Sequence, residues 1–177
     1  SLDGPRASVT IPRRAAVGLG SMQFRTSTYT VGDRPVVAVE GVVDLVAVAE
    51  AIAALDTRLI LFVLAGTDRQ NLEAIGARHG IRIAYEFFGD RAYNSDGSLV
   101  SRKEPGAVIH DGEMVAEKIL KMVKESRVVC IDGSEIKLTA DTICVHGDNP
   151  AALSLVQKIR TTLQASGVDI AAPETFL

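Results

Sequence analysis

The chain holds few cysteines, and the two present, Cys130 and Cys144, sit in apolar, strand-like runs. No Cys/His spacing resembles a structural zinc site, so no metal site is expected, and reduced, buried thiols in a cytoplasmic setting are the simpler reading. There is no apolar run of about 18 residues, which excludes a transmembrane helix. The N-terminus lacks an apolar h-region followed by a small-residue cleavage site, so no signal peptide is expected. Neither standard glycine-rich phosphate loop occurs. A net charge of −3 gives no electrostatic reason to expect a nucleic-acid or anionic-membrane partner. Internal repeats and low-complexity runs are also absent.

What remains is 177 residues, 47% hydrophobic and 23% charged, which fits one globular domain. Residues 1–43 stand apart. Pro5, Pro12, several glycines and scattered Arg and Thr break any sustained period there. Ser8 to Ile11 and Pro35 to Gly41 read as short strands, and Gly18 to Met22 as a linker.

From Asp44 the pattern sharpens into helix, strand, helix, strand. Asp44 can cap a helix to about Leu55, with Leu45, Val48, Ala49 and Ile52 on one face. Arg58 to Leu64 is a continuous apolar strand of the kind buried in a parallel sheet. Thr67 or Asp68 caps a second helix that stops at Gly80, and Ile81 to Phe87 is the next strand. Residues 88–110 then form a long connection with no helical period, a length that usually signals function. Asp111 caps a helix to about Glu125. Arg127 to Ile131 and Glu135 to Leu138 form a hairpin about Asp132-Gly133. Asp141 to Val145 is a core strand, and Asn149 with Pro150 opens a last helix that Gly167 ends. About four core strands alternating with helices predict an α/β fold with a parallel sheet, which is few strands for a closed barrel.

Polar side chains gather just after two of these strands, where α/β proteins place their chemistry. His146 can serve as acid or base, oriented by Asp148, at a helix start that favours anions. The competing structural reading has Asp148 and Asn149 only capping that helix. Arg91 can grip a carboxylate or phosphate with a bidentate fork, and Asp90 can hold Arg91 in place. The structural alternative there is an Asp–Arg pair that staples the long loop. Arg102 is a second anion-binding candidate. His110 precedes Asp111, which capping already explains. His79 suits a helix C-terminus. Glu86 stands at a strand end with a weak signal. A Ser–His–Asp triad can be assembled on paper, but nothing resembles a G-x-S-x-G elbow.

Five segments read together carry a resemblance. They are Leu64-Ala65-Gly66-Thr67, Glu86-Phe87-Phe88-Gly89-Asp90-Arg91-Ala92-Tyr93, Asp96-Gly97-Ser98-Leu99-Val100-Ser101-Arg102, Pro105-Gly106-Ala107-Val108-Ile109-His110-Asp111 and Asp141-Thr142-Ile143-Cys144-Val145-His146-Gly147-Asp148. Over about residues 44–167 the chain resembles the C-terminal half of the LamB/YcsF family, which includes the A subunit of bacterial ATP-dependent 5-oxoprolinase. The resemblance implies a β/α barrel of the glycoside hydrolase/deacetylase type, incomplete in this chain, over residues 44–177. It also implies ATP-driven opening of the 5-oxoproline lactam to glutamate, with partner subunits B and C. Asp90, Arg91, Arg102, His146 and Asp148 then become pocket candidates, with His110 beside them.

The family's opening Asp-Leu-Asn-Cys-Asp strand, its Cys-Gly-Phe-His-Ala-Gly-Asp segment and its Lys-Pro-His-Gly-Ala segment do not occur here. The alternative functions are therefore a non-catalytic binding or assembly module that keeps the fold, or a related carbohydrate deacetylase-like hydrolase. An anti-sigma-antagonist-like start over Thr30 to Glu50 is a weaker reading, opposed by the strand-end polar clusters. A partial barrel exposes strand edges, which predicts oligomerisation.

Overall fold

The structure, a computed structural model, describes residues 25–31, 34–40, 45–146 and 152–177. The segments Ser8 to Ile11, Gly18 to Met22 and Gly147 to Pro150 lie outside the described residues. Strands β1 (Arg25–Val31) and β2 (Arg34–Glu40) form an antiparallel pair. The second falls where the sequence marks a strand. The first has Thr and Tyr propensity but no apolar face, which is why no period betrays it.

The expected alternation follows in α1 (Leu45–Leu55), β3 (Ile60–Leu64), α2 (Arg69–His79) and β4 (Arg82–Phe88). Strand β3 starts two residues later than its apolar run suggests. The Asp56 carboxylate accepts from the Arg58 backbone N–H at 2.9 Å and from its guanidinium at 2.7 Å, which holds Arg58 in a turn. Helix α2 is bounded as its end residues dictate. The Asp68 side chain accepts from Asn71 N, and Gly80 takes the left-handed conformation at φ 67°.

After a long excursion come α3 (Gly112–Glu125), β5 (Arg127–Val129), β6 (Glu135–Lys137), β7 (Thr142–Cys144) and α4 (Ala152–Ala165). The parallel sheet has the order β3-β4-β7. Three strands form it among the described residues, rather than about four. Strands β5 and β6 pair with each other as the hairpin expected about Asp132-Gly133, apart from that sheet. Gly133 at φ 82° folds the chain back at once, so β5 finds a local partner, and its Val128 packs into the core beside α3.

Register sorts the sheet residues onto two faces. Leu61, Val63, Ile83, Tyr85, Phe87 and Ile143 share one face. Leu61, Val63, Ile83 and Tyr85 pack with Val48, Ile52, Leu72 and Ile75 of α1 and α2. Phe87 and Ile143 pack with Val115, Ile119 and Met122 of α3 and Leu155, Ile159 and Leu163 of α4. Asp141 fixes how β7 meets β4. Its N–H donates to Tyr85 O at 2.8 Å, and its carboxylate accepts from Tyr85 N at 2.9 Å. The other face carries Phe62, Ala84, Glu86, Phe88, Thr142 and Cys144. Phe62 is 45% exposed there. A cavity of about 630 Å³ runs from Phe62, Glu86 and Thr142 to Val156, Ile170 and Phe176. No described helix is long and apolar enough to cross a membrane.

The turn after β3 touches the long excursion between β4 and α3. A Cβ on Gly66 would lie 2.1 Å from the Gly97 carbonyl oxygen, and backbone cannot rotate aside as a flexible side chain can. Gly66→Ala is therefore expected to cost on the order of 1–3 kcal/mol. Thermal unfolding followed by circular dichroism should show a midpoint several degrees lower. An unchanged midpoint would mean that the excursion does not press on this turn.

Candidate active site at the ends of two parallel strands

Strand β4 delivers its chain to Gly89, whose N–H continues the ladder onto Cys144 O at 3.0 Å. Asp90 and Arg91 come next and are both buried, at 4% and 6% exposure. Gly89 and Asp90 form a turn closed by Arg91 N–H donating to Phe88 O at 3.3 Å, and the side chains of Asp90 and Arg91 part there. They find separate partners here.

Arg91 turns into its own loop. Its Nε donates to Ala107 O at 3.2 Å and its Nη2 to Val100 O. Bridges Arg91 to Val108 and Tyr93 to Leu99 zip the loop further. The excursion is thus a folded-back ribbon, which the sequence shows only as a long aperiodic stretch. Tyr93 stacks on Phe87 at 5.2 Å, and its hydroxyl accepts from Phe88 N at 2.9 Å. Burial pushes that phenol up to about 12.

Asp90 turns toward β7. Its carboxylate meets His146 Nδ1 at 3.0 and 3.1 Å and accepts from the His146 backbone N–H at 3.3 Å. A carboxylate only accepts, so opposite it Nδ1 is the donor, and a neutral ring in that tautomer keeps its lone pair on Nε2. The ring stands edge-on to Phe88, 5.1 Å away, and its side chain is 24% exposed. That is the arrangement of a general base held in one tautomer by a carboxylate.

Two sequence expectations are corrected by this geometry. Asp90 does not hold Arg91, because its carboxylate goes to His146. Arg91 does not offer an open bidentate fork, because two of its nitrogens are bound to loop carbonyls. The orienting partner of His146 among the described residues is Asp90; Asp148 lies outside them. Arg102 is exposed on the loop. His110 is also exposed and lines a cleft of about 370 Å³ with Glu113, Ser154 and Lys158, a lining that includes neither Asp90 nor His146. Asp111 caps α3, accepting from Glu113 N at 2.8 Å and Met114 N at 3.0 Å. Asp90 and His146 are thus brought together, while His110 lines a different cleft.

Glu86, Cys144 and Lys118 lie near the pair. Glu86, Thr142 and Cys144 share a sheet face. Burial raises the Glu86 carboxyl, against a hydrogen bond with Cys144 and the attraction of His146. Burial also pushes the Cys144 thiol up to about 11, with Glu86 and Asp90 adding to the effect. Thr142 Oγ1 is buried without a hydrogen-bond partner among the described residues. Lys118 of α3 donates to Gly89 O at 3.4 Å and to Arg91 O. Burial pulls its ammonium down to about 8, while Asp90 pulls the other way. The sequence carries a signal for Lys118: it interrupts the apolar stripe of Val115, Ile119 and Met122.

A family model described as LamB/YcsF matches residues 40–177. Proteins named as the A subunit of 5-oxoprolinase from Halalkalibacterium halodurans and Campylobacter jejuni are each 45% identical to the chain over 131 residues, covering 74% of it and 50% of the relative. One of the same name from Thermococcus onnurineus is 45% identical over the same shares. The crystal structure of a lactam utilization protein from Thermus thermophilus is similar with a TM-score of 0.63 at 38% identity, covering 72% of this chain and 49% of that one. The chain therefore spans about half the length of the relatives it matches.

Two outcomes test the local chemistry. Arg91→Met leaves Val100 O and Ala107 O without their charged donor, at a cost of about 1–3 kcal/mol. Urea unfolding should show the loss, and trypsin should cut faster at the exposed Arg102 and Lys103. Unchanged cleavage would mean that Arg91 does not staple the loop. Raising the Cys144 thiol from its ordinary 9.0 to about 11 leaves about 100-fold less thiolate near neutral pH. Iodoacetamide should then modify Cys144 far more slowly in the native chain than in urea. Equal rates would contradict the buried, neutral thiol.

Proposed function

Because the chain belongs to the LamB/YcsF family, we propose that it contributes the Asp90–His146 proton-transfer pair of a 5-oxoprolinase that opens the lactam of 5-oxo-L-proline to L-glutamate. The observation that carries this reading is the 3.0 Å contact between His146 Nδ1 and Asp90 at the C-terminal ends of β4 and β7. In the proposed reaction His146 Nε2 takes a proton from the attacking water as its oxygen adds to the lactam carbonyl. The C–N bond then breaks and the same proton passes to the leaving ring nitrogen. Asp90 holds the ring in the tautomer that accepts first and steadies the imidazolium formed in between. Arg102, on the loop after β4, is the proposed contact for the substrate carboxylate.

The described residues contain no phosphate cradle of either standard type, and none of the steps above passes through ATP. In this reading ATP is used in a complex with subunits B and C, and the Asp90–His146 pair supplies only the proton transfers of lactam opening. The β3-β4-β7 sheet would be one arc of a β/α barrel, with Phe62, Glu86 and Thr142 facing its interior. A second reading, favoured by the exposed Phe62 and Phe176 beside the cavity, takes the chain as an assembly module that binds subunits B and C without turnover.

The test is ATP- and 5-oxoproline-dependent glutamate release by the assembled complex. His146→Ala should lower the rate by about 10²–10⁴-fold, the usual contribution of a positioned base. Asp90→Asn should lower it as well, because an amide can donate to Nδ1 and reverse the tautomer. Full activity in His146→Ala would end the catalytic assignment. A stable wild-type complex without turnover would select the assembly reading.

A further inference from the structure

Three consecutive carbonyls, those of Gly89, Asp90 and Arg91, are all hydrogen-bonded, and two of the three accept from one side chain. Lys118 Nζ reaches Gly89 O at 3.4 Å and Arg91 O. Ile109 N donates to the middle one, Asp90 O, at 2.8 Å. Lys118 thus grips the backbone on both sides of Asp90. Helix α3 comes close enough because residue 89 is glycine: a Cβ there would lie 2.5 Å from Ile119 Cδ1. The ammonium also sits 4.9 Å from the Phe87 ring centroid and 5.1 Å from that of Tyr93. Two aromatic faces replace part of the hydration it loses.

A filler at this stripe position would be apolar, as Val115, Ile119 and Met122 are. Burying an ammonium instead has a cost, and the interactions it gains must explain why it is there. Its hydrogen bonds go to the turn that carries Asp90. We infer that Lys118 is a positioning residue for the Asp90–His146 pair: by gripping the carbonyls of Gly89 and Arg91 it holds the Asp90 carboxylate against His146 Nδ1. Burial pulls Lys118 down to about 8, so it keeps its charge, and with it all three donors, at neutral pH.

The inference rests on the Asp90–His146 pair of the proposed function but not on the substrate, and its test needs no turnover. The chain has three histidines, His79, His110 and His146, so ring 1H–15N spectra of the labelled full chain are simple. Wild type should show a downfield, slowly exchanging Nδ1 proton on His146. Lys118→Met keeps the volume but removes the donors. It should lose that resonance while His79 and His110 are unchanged, and Lys118→Arg should restore it. A folded Lys118→Met in which the His146 Nδ1 proton is unaffected overturns the inference. If Lys118→Met does not fold, Lys118→Gln is read in the same way. Failure of both to fold makes Lys118 a folding residue and also overturns it. A normal Nδ1 proton response without glutamate release would count against the lactam reading alone.

Discussion

Asp90 and Arg91 are opposite charges in adjacent positions, both buried, and not paired with each other. A buried charge without partners costs several kcal/mol, so each must be met by donors or acceptors of its own. Because neighbouring side chains diverge, the two solutions run in different directions. Arg91 reaches Val100 and Ala107 and thereby folds the loop after β4 onto itself. Asp90 reaches across to His146 and thereby fixes the start of the segment after β7. The loop's shape and the site's geometry are two consequences of burying one dipeptide at the end of one strand.

This constraint also explains which parts were legible beforehand. Elements set by local chemistry read directly from sequence. Asp68 and Asp111 cap helices, Gly80 ends one, and Asp132-Gly133 turns a hairpin, each through contacts a few residues away. The α1–β3–α2–β4 run reads for the same reason, from period and caps. The site pair did not, since Asp90 and His146 lie 56 residues apart. Sequence proximity suggested Asp148 for His146 and Asp90 for Arg91. Sequence neighbours need not share a direction, and a carboxylate brought up on an adjacent parallel strand serves better. Lys118 was hidden by its surroundings: on an amphipathic helix a lysine reads as solvated unless its place in the apolar stripe is weighed.

The sheet's two faces divide the labour. One is sealed by four helices around Phe87, Tyr85 and Ile143. The other is lined by Glu86, Thr142 and Cys144 and opens to the cavity along β7. An apolar face is driven into the core by burial, whereas a face with a carboxyl, a hydroxyl and a thiol suits contact with something polar. The Asp90–His146 pair sits at the C-terminal ends of these strands, where α/β folds generally place their sites.

Two carboxyls in this region experience different surroundings. Asp90 is met by the His146 backbone N–H and ring, and Lys118 lies near enough for its charge to be felt. Glu86 is half-buried and raised by desolvation, with a thiol as its hydrogen-bond neighbour and that thiol itself held neutral. Those surroundings favour a carboxyl that keeps its proton longer as pH rises. Burial thus governs the Glu86 carboxyl, whereas contacts with His146 fix where the Asp90 carboxylate sits.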